Sequence, residues 1–308
     1  MSDSNSPKAA ESQIPQGQSP SGLFRGRLGA IATMHRKEQV MAPLLQHGLE
    51  IETVIPTDFD TDVFGTFTRD IERAGSQREA ARRKAEAALK LTETTLAFAS
   101  EGTFGPHPSL PFLPCNRELV MLLDVEHGLE VVGEAVSTQT NFRHQLVTRV
   151  EDALAFAKTI GFPEHGLVVR IDPDTSPDPG IEAPIHKGIV SEADLVTAVE
   201  WAIATAPNST AHLETDMRAM MNPRRMKVIA EATQDLVRRI HQTCPQCNTP
   251  GFDVTRQLPG LPCELCGIPT GLVRAAIYQC HQCGFQHEVL FPNGVSTADP
   301  AQCSYCNP

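Results

Sequence analysis

The chain has 308 residues, with 37 acidic against 26 basic and a net charge of -11. That balance disfavours a nucleic-acid partner, because every phosphate of the polymer would meet a repulsive field. No apolar run reaches the roughly 18 residues that span a bilayer, and the N-terminus lacks the apolar stretch of a secretory signal, so the expectation is a cytoplasmic protein with no membrane anchor.

The length suits one α/β domain and a smaller module. Residues 1–26 carry Ser, Pro, Gln, Lys and Gly with little apolar content and read as a disordered tail. An α/β domain is expected over 27–241. It opens with the buried strand Leu28-Gly-Ala-Ile-Ala-Thr33 and a helix bearing Val40, Met41, Leu44 and Leu45, against which Pro43 argues unless it lies in the first turn. Residues 49–55 alternate as a second strand. The stretch from Ser76 to Phe98 is rich in the helix formers Ala, Glu, Lys and Arg, and a helix starts there at the capping box Ser76-x-x-Glu79. Ser100-Glu101-Gly102-Thr103-Phe104-Gly105-Pro106 reads as a turn or loop on account of its Gly and Pro residues. Strands over 119–124 and 129–136 form a hairpin through Glu126-His127-Gly128. A helix over 150–159, a strand over 167–171, an Asp/Pro-rich loop over 172–184 and a helix over 192–204 behind Ser191-x-x-Asp194 follow. The last helix runs from Pro223 to Ile240, with Asn222 as N-cap and Pro at the first position. Strands mixed with helices predict an α/β domain with a mixed sheet and flanking helices.

Residues 242–308 form a cysteine-rich module. Its pairs are Cys244/Cys247, Cys263/Cys266, Cys280/Cys283 and Cys303/Cys306, and two such knuckles complete a tetrahedral thiolate shell for zinc. Two structural zinc ions are therefore expected. The gaps between successive pairs are 15, 13 and 19 residues. The first and last match the usual spacing for pairs that share one ion, so sequential pairing into a double zinc ribbon is favoured over an interleaved arrangement. Four cysteine ligands leave no open position, so the zinc is structural and not catalytic. Gly267, Gly284, Asn248 and Asn307 follow the knuckles where a left-handed backbone turns amides toward the sulfurs. His281 and His287 are not needed as ligands. The module is acidic, with Asp253, Glu264, Glu288 and Asp299 against Arg256 and Arg274, which suits a structural role or a docked protein partner. Cys115, the ninth cysteine, reads as a buried inert thiol.

Two resemblances add to this reading. Ala32-Thr33-Met34-His35, Ser100-Glu101-Gly102-x-x-Gly105-Pro106, Glu214-Thr-Asp-Met-Arg218 with Asn222-Pro223, and Cys303-x-x-Cys306-Asn307-Pro308 resemble the signature of a bacterial, notably cyanobacterial, family of unknown function. More distantly, residues 27–145 are similar to the nucleoside-triphosphate pyrophosphatases that clear inosine and xanthosine triphosphates. There Ala32-Thr33-Met34-His35 with Lys37 stands for that family's Ala-Thr-x-Asn and nearby Lys, Glu79-Ala80-Ala81-Arg82-Arg83-Lys84-Ala85 for its Glu-Asn-Ala-x-x-Lys-Ala, and Ala99-Ser100-Glu101-Gly102 for its Asp-Asp-Ser-Gly. This likeness implies a pyrophosphatase-like fold and a Mg2+-dependent hydrolase of a nucleotide or other phosphate-containing small molecule. Glu101 and Glu79 would be the catalytic, metal-holding carboxylates, and His35, Lys37 and Lys84 would contact substrate. His35 stands where that family has Asn, Ala80 replaces its second Asn, and Glu101 is offset from its Asp. Arg218 and Arg224, around the start of the last helix, are further candidates for an anion. Asp58, Asp60 and Asp62 read as a solvated acidic loop. A non-catalytic protein that docks a partner through its zinc module is the alternative.

Overall fold

The computed structural model describes residues 17, 20, 22–57, 59–60, 75–171 and 184–308. Most of the N-terminal tail, Asp58, Asp62 and nearly all of the Asp/Pro-rich loop therefore lie outside the described residues. Two compact units separate within the last helix, the larger spanning Arg25–Val237 and the smaller formed by Arg238–Pro308 with residues of the first 24.

In the larger unit, β1 (Leu28–Ala32), β2 (Glu52–Val54), β3 (Leu96–Pro106), β4 (Pro114–Asp124) and β5 (Leu129–Ser137) form a sheet in the order β2-β1-β3-β4-β5. β1, β2 and β3 are parallel and β4 and β5 antiparallel, which makes the mixed sheet that the sequence implies. Alternation of side chains divides its two faces. Ala30, Ala32, Ala97, Ala99, Leu119 and Met121 share a core with Ala81, Ala85, Ala88 and Leu89 of α2 (Gln77–Thr92). Small residues on both sides let α2 lie close against the strands. On the opposite face lies α5 (Pro223–His241): a Cβ at Gly133 of β5 would come within 2.2 Å of the Leu236 nitrogen and 2.4 Å of the Ala232 oxygen. Beside it runs α1 (Glu38–Leu49), whose Gly48 abuts Val237.

Pro43 argues against a helix here unless it stands in the first turn, yet α1 begins at Glu38 and continues through Pro43. Burial of Met41, Leu45 and Leu49 outweighs the one hydrogen bond that proline removes. The larger correction concerns residues 100–106. These are not a loop; they extend β3, in register with β4 from Ser100↔Val120 to Pro106↔Pro114. Neither Gly102 nor Gly105 has a left-handed backbone. Gly102 is needed for space, because a Cβ there would lie 2.3 Å from a carboxylate oxygen of Glu118.

A second, antiparallel sheet in the same unit holds β6 (His144–Val147), β7 (Leu167–Arg170), β8 (Ile185–Ile189) and β9 (Ala211–Thr215) in the order β6-β9-β7-β8. It shares a core with α3 (Val150–Ile160) and α4 (Glu192–Thr205), built on Phe156, Ile160, Leu195 and Val199. The smaller unit contains a three-stranded antiparallel sheet of β10 (Asp253–Pro259), β11 (Val273–Gln279) and β12 (Gln286–Leu290). In the described part of the first 26 residues, the Gly17 amide donates to the Thr243 carbonyl (3.1 Å) and Phe24 is buried.

The close approach of α5 to β5 gives a direct test. Gly133→Ala should lower stability by about 1–3 kcal/mol, the usual cost of overpacking, visible as a fall in the urea midpoint followed by circular dichroism. Gly128→Ala, at a turn with nothing near its Cβ, should cost less through its left-handed φ of 63°.

Candidate metal centres and a buried charged cluster

Cys244, Cys247, Cys280 and Cys283 form one group and Cys263, Cys266, Cys303 and Cys306 another, with the sulfurs of each within 4.8 Å of one another. The distances Cys244–Cys283 (3.7 Å), Cys247–Cys280 (3.6 Å), Cys263–Cys306 (3.8 Å) and Cys266–Cys303 (3.7 Å) match the edge of about 3.8 Å that a tetrahedron with Zn–S bonds of about 2.3 Å requires. Each group can therefore hold a zinc ion. The pairing is interleaved, first pair with third and second with fourth, not sequential as the gap lengths suggest. Gap length measures reach only, and β10 to β12 fold the chain so that alternate knuckles meet. Each knuckle closes by the same backbone bond, from the amides of Asn248, Gly267, Gly284 and Asn307 to the carbonyls of Cys244, Cys263, Cys280 and Cys303 (2.8–3.0 Å). Asn248, Gly267 and Gly284 are left-handed there, whereas Asn307 is not.

The thiols also show why a cation is needed. Desolvation raises Cys247, but hydrogen bonding with Thr249 and the neighbouring thiols bring it down to about 6. Cys283 is pushed up to about 12, since desolvation and three adjacent thiols outweigh the Phe285 amide. In the second group Cys303 falls to about 7, through the Cys306 and Tyr305 amides, while Cys306 rises to about 12, mainly through Cys266. Four thiolates this close cannot ionise together without a metal. Asp124, Glu126 and His127 also converge, but Arg27 donates to both Asp124 oxygens (2.6 and 2.8 Å) and pairs with Glu126 (3.0 Å). A guanidinium already supplies the positive charge there.

In the larger unit a second cluster is built around the end of β1. This strand pairs with β3 only as far as Ala32↔Ala99, and β3 runs on alone along that edge. Successive crossovers place α1 and α2 on opposite faces, so the β1/β3 boundary is a topological switch point, where open α/β sheets bind ligands. Thr33, His35 and Lys37 follow β1 and are buried. Lys37 Nζ donates to the Ser100 hydroxyl (3.0 Å) and carbonyl (3.4 Å). Lys84 of α2 pairs with Glu101, both buried, on the α2 face. On the opposite face Arg225 Nε binds Glu118 Oε1 (2.8 Å), another of its nitrogens donates to the Met217 carbonyl (2.6 Å), and its guanidinium lies 5.4 Å from the Phe104 ring centre. Arg218 reaches Asp216 (2.6 Å).

Burial and neighbouring cations both act on His35. Burial, then the charges of Lys37, Arg225, Arg218 and Lys84, lower its pKa to about 3, so it is neutral at pH 7. Lys37 falls to about 7, through burial first and then Arg225 and Lys84, with Glu101 and Glu118 opposing. In both, loss of hydration comes first and like charge second, and each disfavours the protonated form. The structure thus brings His35, Lys37, Lys84, Arg218 and Glu101 together with Arg225, one of the two arginines that open the last helix, and adds Glu118, which sequence patterns do not single out. Two other candidates stand apart. Glu79 is exposed and completes its capping box, accepting from the Ser76 amide (2.7 Å). Arg224 is exposed, while its neighbour Arg225 turns inward at the third position of α5, its amide donating to the Asn222 side chain (3.1 Å). Cys115 is buried in β4. A groove of about 440 Å³ lies nearby, lined by Pro106, Phe112, Phe142, Arg143 and His144 among others.

Three outcomes follow. The purified chain should carry two zinc ions, and the double substitution Cys244→Ser with Cys283→Ser should leave one, measured by metal analysis; loss of both would indicate sequential pairing, because those two cysteines would then belong to different sites. Between about pH 3 and 6.5 the unfolded chain binds more protons than the fold at His35, and between about 7 and 10.5 at Lys37. Both groups therefore make stability rise with pH across their windows and fall on acidification, and Lys37→Met should flatten the upper window in urea titrations. Sulfate, whose charge is constant over this range, should bind more weakly as pH rises through 7 and Lys37 loses its proton, by up to about tenfold per unit, read by calorimetry.

No curated protein matches the chain. A family model described as Domain of unknown function (DUF6671) matches residues 84–308, which takes in Glu101, Glu118, Arg218, Arg225 and all eight zinc-site cysteines but not the stretch that holds His35 and Lys37. That match covers well over half of the sequence, and the chain belongs to this family.

Proposed function

We propose that this is a zinc-stabilised protein whose larger unit binds a phosphate-bearing small molecule at the end of β1 and hydrolyses it with the help of Mg2+. The observation that carries this reading is the convergence of Lys37, Lys84, Arg218 and Arg225 on a neutral, buried His35. Cations held ready around a site act on phosphate charge without reorganisation, which is the main requirement of phosphoryl chemistry. Glu101, at the same switch point, is the carboxylate that would share Mg2+ with a bound phosphate once Lys84 swings toward the ligand. Zinc in all-cysteine shells supplies folding energy only.

The test is a pyrophosphate- and phosphate-release screen over nucleoside triphosphates and sugar phosphates with Mg2+. Glu101→Gln should lower the rate about a hundredfold or more, and Glu79→Gln should change only the melting temperature, since Glu79 serves as a helix cap. Equal rates for wild type and Glu101→Gln would remove Glu101 from the mechanism.

A second reading, partner docking, draws on an asymmetry between the zinc knuckles. Leu265 and Tyr305 occupy the third positions of the two knuckles of one centre and are 74% and 71% exposed, with Ile268 close by in sequence. The other centre presents Gln246 and Gln282 at these positions. An apolar pair beside Glu264 and a four-thiolate centre of net charge about -2 suits a partner segment that combines apolar and basic side chains. Leu265→Ser with Tyr305→Ser should raise solubility and leave zinc content at two if this surface docks a partner.

A further inference from the structure

The cations of the cluster account for an anion, but three buried oxygens in it ask for something else. Thr33 Oγ1, Asn116 Oδ1 and Glu118 Oε2 have no hydrogen-bond partner among the described residues, and these residues are 4%, 2% and 1% exposed. Asn116 and Glu118 are two apart on β4 and share the face that carries Arg225. Opposite Glu118 stands Gly102, and the Glu118 oxygens lie 2.3 and 2.6 Å from where a Cβ on Gly102 would be. The carboxylate therefore lies over β3, directed from β4 toward the end of β1, where Thr33 and His35 begin the loop. Only glycine at position 102 leaves that path open.

All three atoms can accept hydrogen bonds. A divalent cation is a poor match at Glu118, because Arg225 Nε already lies 2.8 Å from the same carboxylate and would repel it. Neutral donors suffer no such repulsion, and a carboxylate and an amide oxygen on one face of a strand can each accept from a hydroxyl. We propose that the ligand of this site is a phosphorylated sugar, free or as the ribose phosphate part of a nucleotide, whose hydroxyls donate to Glu118, Asn116 and Thr33 while its phosphate meets the cations around His35. This rests on the phosphate reading above and adds a second recognition element to it. A site built to hydrogen-bond hydroxyls rejects an analogue without them, because its buried acceptors are then left unpaired.

Calorimetry on the full-length, zinc-loaded chain separates the two claims, with inorganic phosphate, ribose 5-phosphate, 2-deoxyribose 5-phosphate and free ribose as probes. Ribose 5-phosphate should bind at least tenfold more tightly than phosphate, and the deoxy compound should lose part of that gain. Asn116→Ala and Glu118→Gln should each bring ribose 5-phosphate toward the affinity of phosphate, with melting temperatures recorded for every variant. Phosphate binding with no gain from the sugar, or a gain that survives in both variants, would overturn the hydroxyl assignment and leave the anion site standing. Absence of any phosphate binding would overturn both. Should Glu118→Gln fail to fold without its full charge opposite Arg225, Asn116→Ala and Thr33→Val decide the matter.

Discussion

The ion pair between Arg225 and Glu118 is the constraint on which the larger unit depends. Both side chains are fully buried, and removing two charges from water costs several kcal/mol per ion unless their remaining polar atoms are met. Arg225 is met on several sides, by Glu118, by the Met217 carbonyl and by the face of Phe104. Breaking such a pair from one side typically costs about 3–5 kcal/mol, so the pair fixes where the first turn of α5 sits on β4. From that anchor α5 runs along β5, close enough to require glycine at 133, and lies beside α1 at Gly48. The same anchor holds a guanidinium at the end of β1, where it helps to keep His35 neutral.

That arrangement divides the cluster between the two faces of one sheet. Glu101 and Lys84 belong to the α2 face, Glu118 and Arg225 to the α5 face, and the loop after β1 reaches the boundary between them. Because β1 stops at Ala32 while β3 continues, neither face closes over this boundary through strand pairing. A ligand there would meet charge from both faces at once, which is how a small molecule with one anionic end and several donors can be held by few residues.

In the smaller unit the metal sites organise the chain in another way. Each centre joins knuckles 33 to 43 residues apart, and the two loops overlap in sequence. Long closures of this kind are entropically costly without a cross-link, and a metal that binds only the folded thiolates offsets that cost. Phe252, Tyr278, Phe285 and Val289 pack around Cys244 and Cys280, giving the first centre an apolar support.

Much of this was legible from local rules. The four Cys-x-x-Cys pairs specify the zinc donors because two intervening residues set the sulfur geometry within one turn, and the Ser76 and Asn222 caps, the 124–129 hairpin and the Ala-rich α2 each rest on contacts a few residues long. Other features were decided only by contacts distant in the chain. Ser100–Pro106 looks like a loop from its glycines and proline, yet it is a strand, since Gly102 answers to Glu118 across the sheet and not to a turn. Knuckle pairing depends on how β10 to β12 fold, which gap lengths do not encode. Arg224 and Arg225 are indistinguishable as neighbours in sequence, and only the rotation of α5 against β4 sends one to solvent and buries the other. Sequence alone determined which atoms can bind metal and which helices can start; the tertiary structure decided which of the charged side chains share a site, because burial and the pairing of opposite charges are properties of surfaces brought together from far apart in the chain.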